Sequence, residues 1–177
     1  MSIRQPHRHS PHRKAATGAL TSLILLCLAV HGRSAVTADA WVSPATGRAA
    51  PGRVLRVFAP PEHDWLPGHR GVDLELPHGA PVHAASDGTV FFSGTVAGTG
   101  TVSVDHADGT RTTYQPVTGT VSAGDTVREG QVIGTLGRNP RGWPGVSWGA
   151  LRDGDYINPL GLLPRPLIRL KPVDEPV

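Results

Sequence analysis

Cysteine is almost missing from this 177-residue chain: the single one, Cys27, lies in an N-terminal apolar run. A disulfide framework and a thiolate metal site are both excluded beyond that point. Lysine is nearly as scarce, with only Lys14 and Lys171. No apolar run is long enough to span a bilayer comfortably; the longest, residues 15–30, falls short of the roughly 20 residues a spanning helix needs. From residue 41 onward no segment sustains an amphipathic helical period over three turns.

What is present divides the chain in two. Residues 1–40 hold Arg4, Arg8, Arg13, Lys14 and Arg33 against Asp39, a net +4, while the remaining 137 residues carry 12 basic and 13 acidic side chains. A nucleic-acid binder needs its cations on the folded part, so the overall +3 does not point to nucleic acid. The order of a polar, Arg- and His-rich start, an apolar run densest at residues 23–30, and Ala38-Asp39-Ala40 ahead of Trp41 matches an export signal with an A-x-A cleavage site. Cys27 follows Leu26 rather than a small residue, which argues against lipid attachment. The expected organisation is a signal peptide over 1–40, a linker over 41–52, a domain over 53–163 and a Pro-rich tail over 164–177. The mature chain would then be secreted or held in the cell envelope without contact to a membrane.

Residues 41–177 contain 20 glycines and 15 prolines that punctuate short β-branched runs, the pattern of an all-β sandwich or barrel. Strands are predicted at Arg53–Ala59, Val72–Leu76, Pro81–Ala85, Thr89–Ser93, Thr101–Asp105, Thr110–Pro116, Gln131–Leu136 and Val146–Arg152. Hairpin chemistry marks Asp108-Gly109 and Asp153-Gly154. The stretch Val121 to Gly134, V-x-x-G-D-x-V-x-x-G-Q-x-I-G, predicts a tight hammerhead turn with Val127, Val132 and Ile133 facing the core. Lipoyl-type carriers use such a turn, but they need a lysine at a hairpin tip, and Lys171 sits in the tail.

The segment Gly68-His69-Arg70-Gly71-Val72-Asp73 places an imidazole and a carboxylate four residues apart, two groups that suit zinc. By itself H-x-x-x-D is common. Its context is Gly79 to Val90, Val104 to Gly109, Thr112-Thr113-Tyr114 and the hammerhead segment, in that order. With these motifs the chain resembles the LytM/lysostaphin-type zinc metallopeptidases, which cut peptide cross-links of peptidoglycan. The likeness covers roughly Val54 to Leu163. It implies two antiparallel sheets arranged as a β-sandwich or barrel-sandwich hybrid, with a shallow groove.

The resemblance also assigns positions. His69 and Asp73 match two of the three zinc ligands; Ser147 stands where the third ligand, the second His of an H-x-H motif, belongs. The first His of that motif is matched by Gly145, and the His of a Y-x-H motif by Pro116, after Tyr114 and Gln115. A catalytic zinc needs three protein ligands and an open position. A pair leaves it weakly held, and neither Pro116 nor Gly145 carries an acid or base. Of the other histidines, His63 lies nearest in sequence, while His78, His83 and His106 read as surface or packing residues. Trp65, Tyr114, Trp143 and Trp148 are the expected groove residues. The resemblance therefore implies a binding domain with no catalytic residues, its partner being peptidoglycan or a cell-wall hydrolase. An active zinc endopeptidase and a purely structural envelope module remain the alternatives.

Overall fold

A computed structural model of the chain describes residues 41–63, 65–139, 142 and 145–165. The expected leader, most of the tail, and Trp143 lie outside the described residues. The described chain is all-β, apart from one 3-10 turn at Pro159–Gly161. Its strands are β1 (Val54–Arg56), β2 (Gly71–Leu74), β3 (Pro81–His83), β4 (Gly88–Val96), β5 (Thr99–Asp105), β6 (Thr110–Gln115), β7 (Val117–Gly119), β8 (Thr126–Val127), β9 (Val132–Leu136), β10 (Val146–Arg152) and β11 (Asp155–Ile157).

Two antiparallel sheets form. The larger runs β1-β2-β10-β6-β5-β4-β8, with β11 added to β10; the smaller runs β3-β9-β7. Alternation sets the packing, because successive side chains on a strand point to opposite faces. Thr112 and Tyr114 of β6, and Val146, Trp148 and Ala150 of β10, are buried, while the residues between them are partly exposed. Tyr114, Val146 and Trp148 share one core with Val72, Leu74, Val102 and Val104 of the larger sheet and Val82, Val117, Ile133 and Leu136 of the smaller.

Eight predicted strands are present within a few residues of their expected bounds, and both hairpin turns form. At the first, Asp108 accepts from the Thr110 backbone N–H at 2.9 Å and Gly109 adopts φ 80°. At the second, Asp153 and Gly154 both take positive φ, as a two-residue hairpin turn requires. The short β7 and β8, without an alternating pattern of their own, were not expected. The hammerhead segment straps onto the core through Gly124 N–H to the Val90 carbonyl and Gly130 N–H to the Ala84 carbonyl, both 2.9 Å.

Two expectations are corrected here. Val132 does not face the core: it is 45% exposed, while its neighbour Ile133 is fully buried. Adjacent residues of one strand cannot both point inward. The segment 41–52 is not a linker either. Trp41, Val42 and Ser43 are buried. Val42 N–H donates to the Ala85 carbonyl at 2.8 Å, and His83 N–H to the Pro44 carbonyl at 3.0 Å. Trp41 meets the His106 ring edge-to-face at 4.7 Å. The Pro- and Gly-bearing composition that suggested a linker reflects the turn at residues 44–52, folded back by Ser43 Oγ donating to the Pro51 carbonyl.

Candidate functional site

Three neighbouring interior strands build the site. Along β2, β10 and β6 the register aligns Asp73 with Ser147 and Ser147 with Gln115. Cross-strand partners share a face, so these three side chains form one row, opposite in direction to the buried row Val72, Trp148, Tyr114. Gln115 Nε2 extends the row by donating to Thr101 Oγ1 at 2.8 Å. Alongside, Thr113 shares a hydroxyl hydrogen bond with Ser103 at 3.0 Å.

His69 enters just before β2, fixed by a two-way backbone bridge to Ala59. Residues four apart on an extended strand are about 13 Å apart at roughly 3.3 Å per residue. Yet His69 Nε2 and Asp73 Oδ1 approach to 3.3 Å. At the intervening Gly71 an added Cβ would overlap the Trp148 carbonyl. Glycine at 71 thus permits the close pairing of β2 with β10.

The pair is deeply buried, with His69 8% and Asp73 5% exposed. Neither His69 Nε2 nor Asp73 Oδ1 has a hydrogen-bond partner, even with the other so near. They form a close imidazole–carboxylate pair that lacks hydrogen-bond geometry. Burial lowers the His69 pKa below its ordinary 6.5; Asp73 opposes this and the Arg56 guanidinium reinforces it. The imidazole is neutral at pH 7, with a lone pair to offer. A spacing of 3.3 Å suits two corners of a tetrahedron whose bonds are about 2.0–2.2 Å long. The donor count does not: among the described residues no group of three His, Cys, Asp or Glu side chains converges. The next corner meets Ser147, a neutral hydroxyl, so the residues present do not fit a catalytic zinc.

The positions matched to catalytic histidines are closed in different ways. Gly145 has φ +87°, and a Cβ there would overlap the Leu74 carbonyl oxygen. No side chain of any kind fits that position without moving β2 or β10. Pro116 is buried, follows a cis peptide bond, and accepts from Gly137 N–H at 2.9 Å through its carbonyl.

A cleft of about 300 Å³ opens above the row, between His69, Thr113, Gln115, Ser147 and Tyr156. Of the expected groove residues, Trp65 is 80% exposed in the loop leading to His69. Tyr114 and Trp148 are not groove residues. Both are fully buried, on the core side of β6 and β10. The Tyr114 hydroxyl accepts from Ala85 N–H at 2.9 Å and pairs with Thr112 Oγ1 at 2.7 Å, and burial pushes its pKa up to about 12. His106 is a packing residue as expected, its two ring nitrogens bonded to the Asp87 carbonyl and Thr112 Oγ1. His83 bonds the Pro44 carbonyl. His63 stacks on Trp65 at 4.7 Å.

Sequence reading missed Thr113, Gln115 and Tyr156. The first two share the parity of Ser147 across the register, a signal available once the β6–β10 pairing is known. Tyr156 reaches the cleft only through the β10–β11 hairpin.

Comparison with known proteins agrees with this geometry. The profile of Peptidase family M23 matches residues 67–159. The chain is 39% identical over 165 residues to the uncharacterized protein Rv2891 of Mycobacterium tuberculosis, covering 86% of this chain and 64% of that protein. It thus spans somewhat under two thirds of that relative's length. It is 36% identical over 107 residues to the DD-carboxypeptidase/endopeptidase Mpg of Neisseria meningitidis, covering 59% of this chain and 25% of Mpg. Among solved structures, a chain of the SpoIIQ–SpoIIIAH pore-forming complex superposes with a TM-score of 0.61 at 26% identity, covering 73% of this chain and 94% of that one.

Proposed function

The chain belongs to peptidase family M23, and from that premise we propose that it is an exported binding domain of the cell envelope that engages peptidoglycan, or a cell-wall hydrolase it regulates, without cutting peptide bonds. The observation that carries this reading is Gly145, where the left-handed backbone and the Leu74 carbonyl leave no space for the imidazole that assists catalysis in active relatives. Pro116 removes the second such group, and loss of a positioned acid or base typically costs about 10² to 10⁴ in rate. Ser147 removes the third metal ligand, leaving His69 and Asp73 to hold zinc weakly. The membership of a related chain in a two-protein complex supports a partner-binding role. Export is supported by the order of charge, apolar run and small residues in the first forty positions.

The test is incubation of the purified chain with cross-linked murein sacculi, with metal content measured in parallel. Co-sedimentation without release of peptides, and sub-stoichiometric zinc, is the expected result. Stoichiometric zinc lost on His69→Ala, together with cleavage of cross-links, would establish an active endopeptidase instead.

A further inference from the structure

We infer that the outer edge of β4 pairs with the same edge of a second copy of this chain, joining two domains through one continuous sheet. The larger sheet ends on this side at β4, because β8 covers it only at Gly88 and Thr89 and the hammerhead strap only at Val90. Among the described residues no strand pairs with the edge beyond that point. Exposed edges are ordinarily blunted by lysine, proline or brevity. β4 has nine residues, and residues 88–104 hold neither proline nor a charged side chain. One protective device is present, the bulge between Val90 and Phe92, and it lies inward of the open stretch. Arg111, which lies over the Phe91 ring, is paired with Asp105 and adds no net charge.

The register of the β4–β5 hairpin fixes which groups the edge offers. Val96 and Thr99 flank a two-residue turn whose Ala97 and Gly98 both take positive φ, so this pair exchanges both backbone hydrogen bonds. Alternation along the ladder then turns the backbone groups of Phe92 and Gly94 towards β5 and those of Ser93 and Thr95 outward. Two copies related by a twofold axis at Gly94 bring Ser93 opposite the partner's Thr95, and Thr95 opposite the partner's Ser93. Each of these pairs exchanges N–H to carbonyl bonds in both directions. At the axis Gly94 faces the partner's Gly94, where the strands approach most closely and no side chain intervenes. Phe92, whose ring lies across Gly94, comes opposite the partner's Val96, an apolar residue that is 49% exposed in the single chain.

A second copy fits this edge better than other occupants do. An uncharged strand faces itself without opposing like charges, and a twofold contact closes at two copies. The other edge of the sheet, β1, is three residues long and ends at Arg56. Residues 164–177 carry Pro164, Pro166, Pro172 and Pro176, which suits them poorly to a sheet strand. The pairing also has a geometric consequence. Asp73, Ser147 and Gln115 are successive cross-strand partners, Gln115 donates to Thr101, and Thr101 pairs with Gly94. One row therefore runs from the candidate site to the axis. Because the twofold axis of an antiparallel pair stands perpendicular to the sheet, both copies present His69 and Asp73 on the same face. A ligand with repeated units can then engage both sites, whatever chemical class a single site takes.

The full chain carrying Cys27→Ser tests this by sedimentation over about 1 µM to 1 mM, a range set by the small contact that one strand pair makes. A reversible monomer–dimer equilibrium is expected. Thr95→Pro removes an outward N–H from each copy and leaves the β4–β5 ladder intact, so the dimer should weaken about tenfold or more while the dilute monomer keeps its denaturation midpoint. In Gly94→Cys, mild oxidation should trap a covalent dimer, because facing residues that do not exchange hydrogen bonds stand about 4.5 Å apart, within disulfide reach. Val57→Cys, exposed beside β1 at the opposite edge, should give none. The trap reads the pairing directly should Thr95→Pro fail to fold. A monomer throughout, a dimer that persists in folded Thr95→Pro, or one that is not trapped in Gly94→Cys would overturn the inference. Assemblies that grow past two copies overturn it too, since a closed contact stops at two. A dimer that forms only after removal of residues 166–177 overturns it by assigning the edge to the chain's own tail.

Discussion

Two rows of side chains lie one residue apart on the same three strands, and they have met opposite fates. The row Val72, Trp148, Tyr114 is wholly buried and packed between the sheets. The row Asp73, Ser147, Gln115 points to the other face, where it presents a carboxylate, a hydroxyl and a carboxamide. Because a strand alternates its faces, the scaffold side and the chemical side vary independently. One face of such a sheet can thus change its side chains without disturbing the packed one.

The comparison breaks most visibly in the buried row. Trp148→Ala should cost about 3–5 kcal/mol, as truncation of a buried aromatic does, read as a lower denaturant midpoint at unchanged slope. Gly145→Ala should come next, at about 1–3 kcal/mol, because a side chain there is strained by positive φ and collides with Leu74. Ser147→His tests the outward row: it should fold as the parent does and gain a zinc-dependent, chelator-reversible stabilisation. That gain is about 2.7 kcal/mol at zinc 100-fold above its Kd. No murein cleavage should accompany it, since Pro116 and Gly145 are unchanged.

Titration separates the two sides most finely. The His69 pKa is lowered from 6.5, so below that value the unfolded chain takes up more protons and stability falls with falling pH until the folded group titrates too. Tyr114 is raised to about 12, so the unfolded chain loses its proton first and stability falls as pH rises from about 10 through 12. Denaturation across pH in EDTA should show both limbs. His69→Gln should flatten the acid limb and Tyr114→Phe the alkaline one.

The sheets were legible because their signals are local: alternation on β6 and β10, and Asp-Gly at both hairpins. Membership of the family was legible in motif order. What escaped depends on register and direction. Trp148 and Ser147 are adjacent in sequence, and only the sheet decides which one meets solvent. Trp41 to Ser43 resembled a spacer because a three-residue strap carries no periodicity. The closure at Gly145 could not be read from glycine alone; it required the position of the Leu74 carbonyl on the neighbouring strand.

The burial of Trp41 sets an order of events. A protease that severs the chain just ahead of Trp41 must draw the following residues into its own cleft in extended form. In the folded domain those residues are occupied, with Val42 bonded to Ala85 and Trp41 packed on His106. The bond is open to cutting only before the domain closes or during a local opening of its first strap. Were the proposed export signal cut at this point, slowing the cut relative to folding would trap an uncleaved chain.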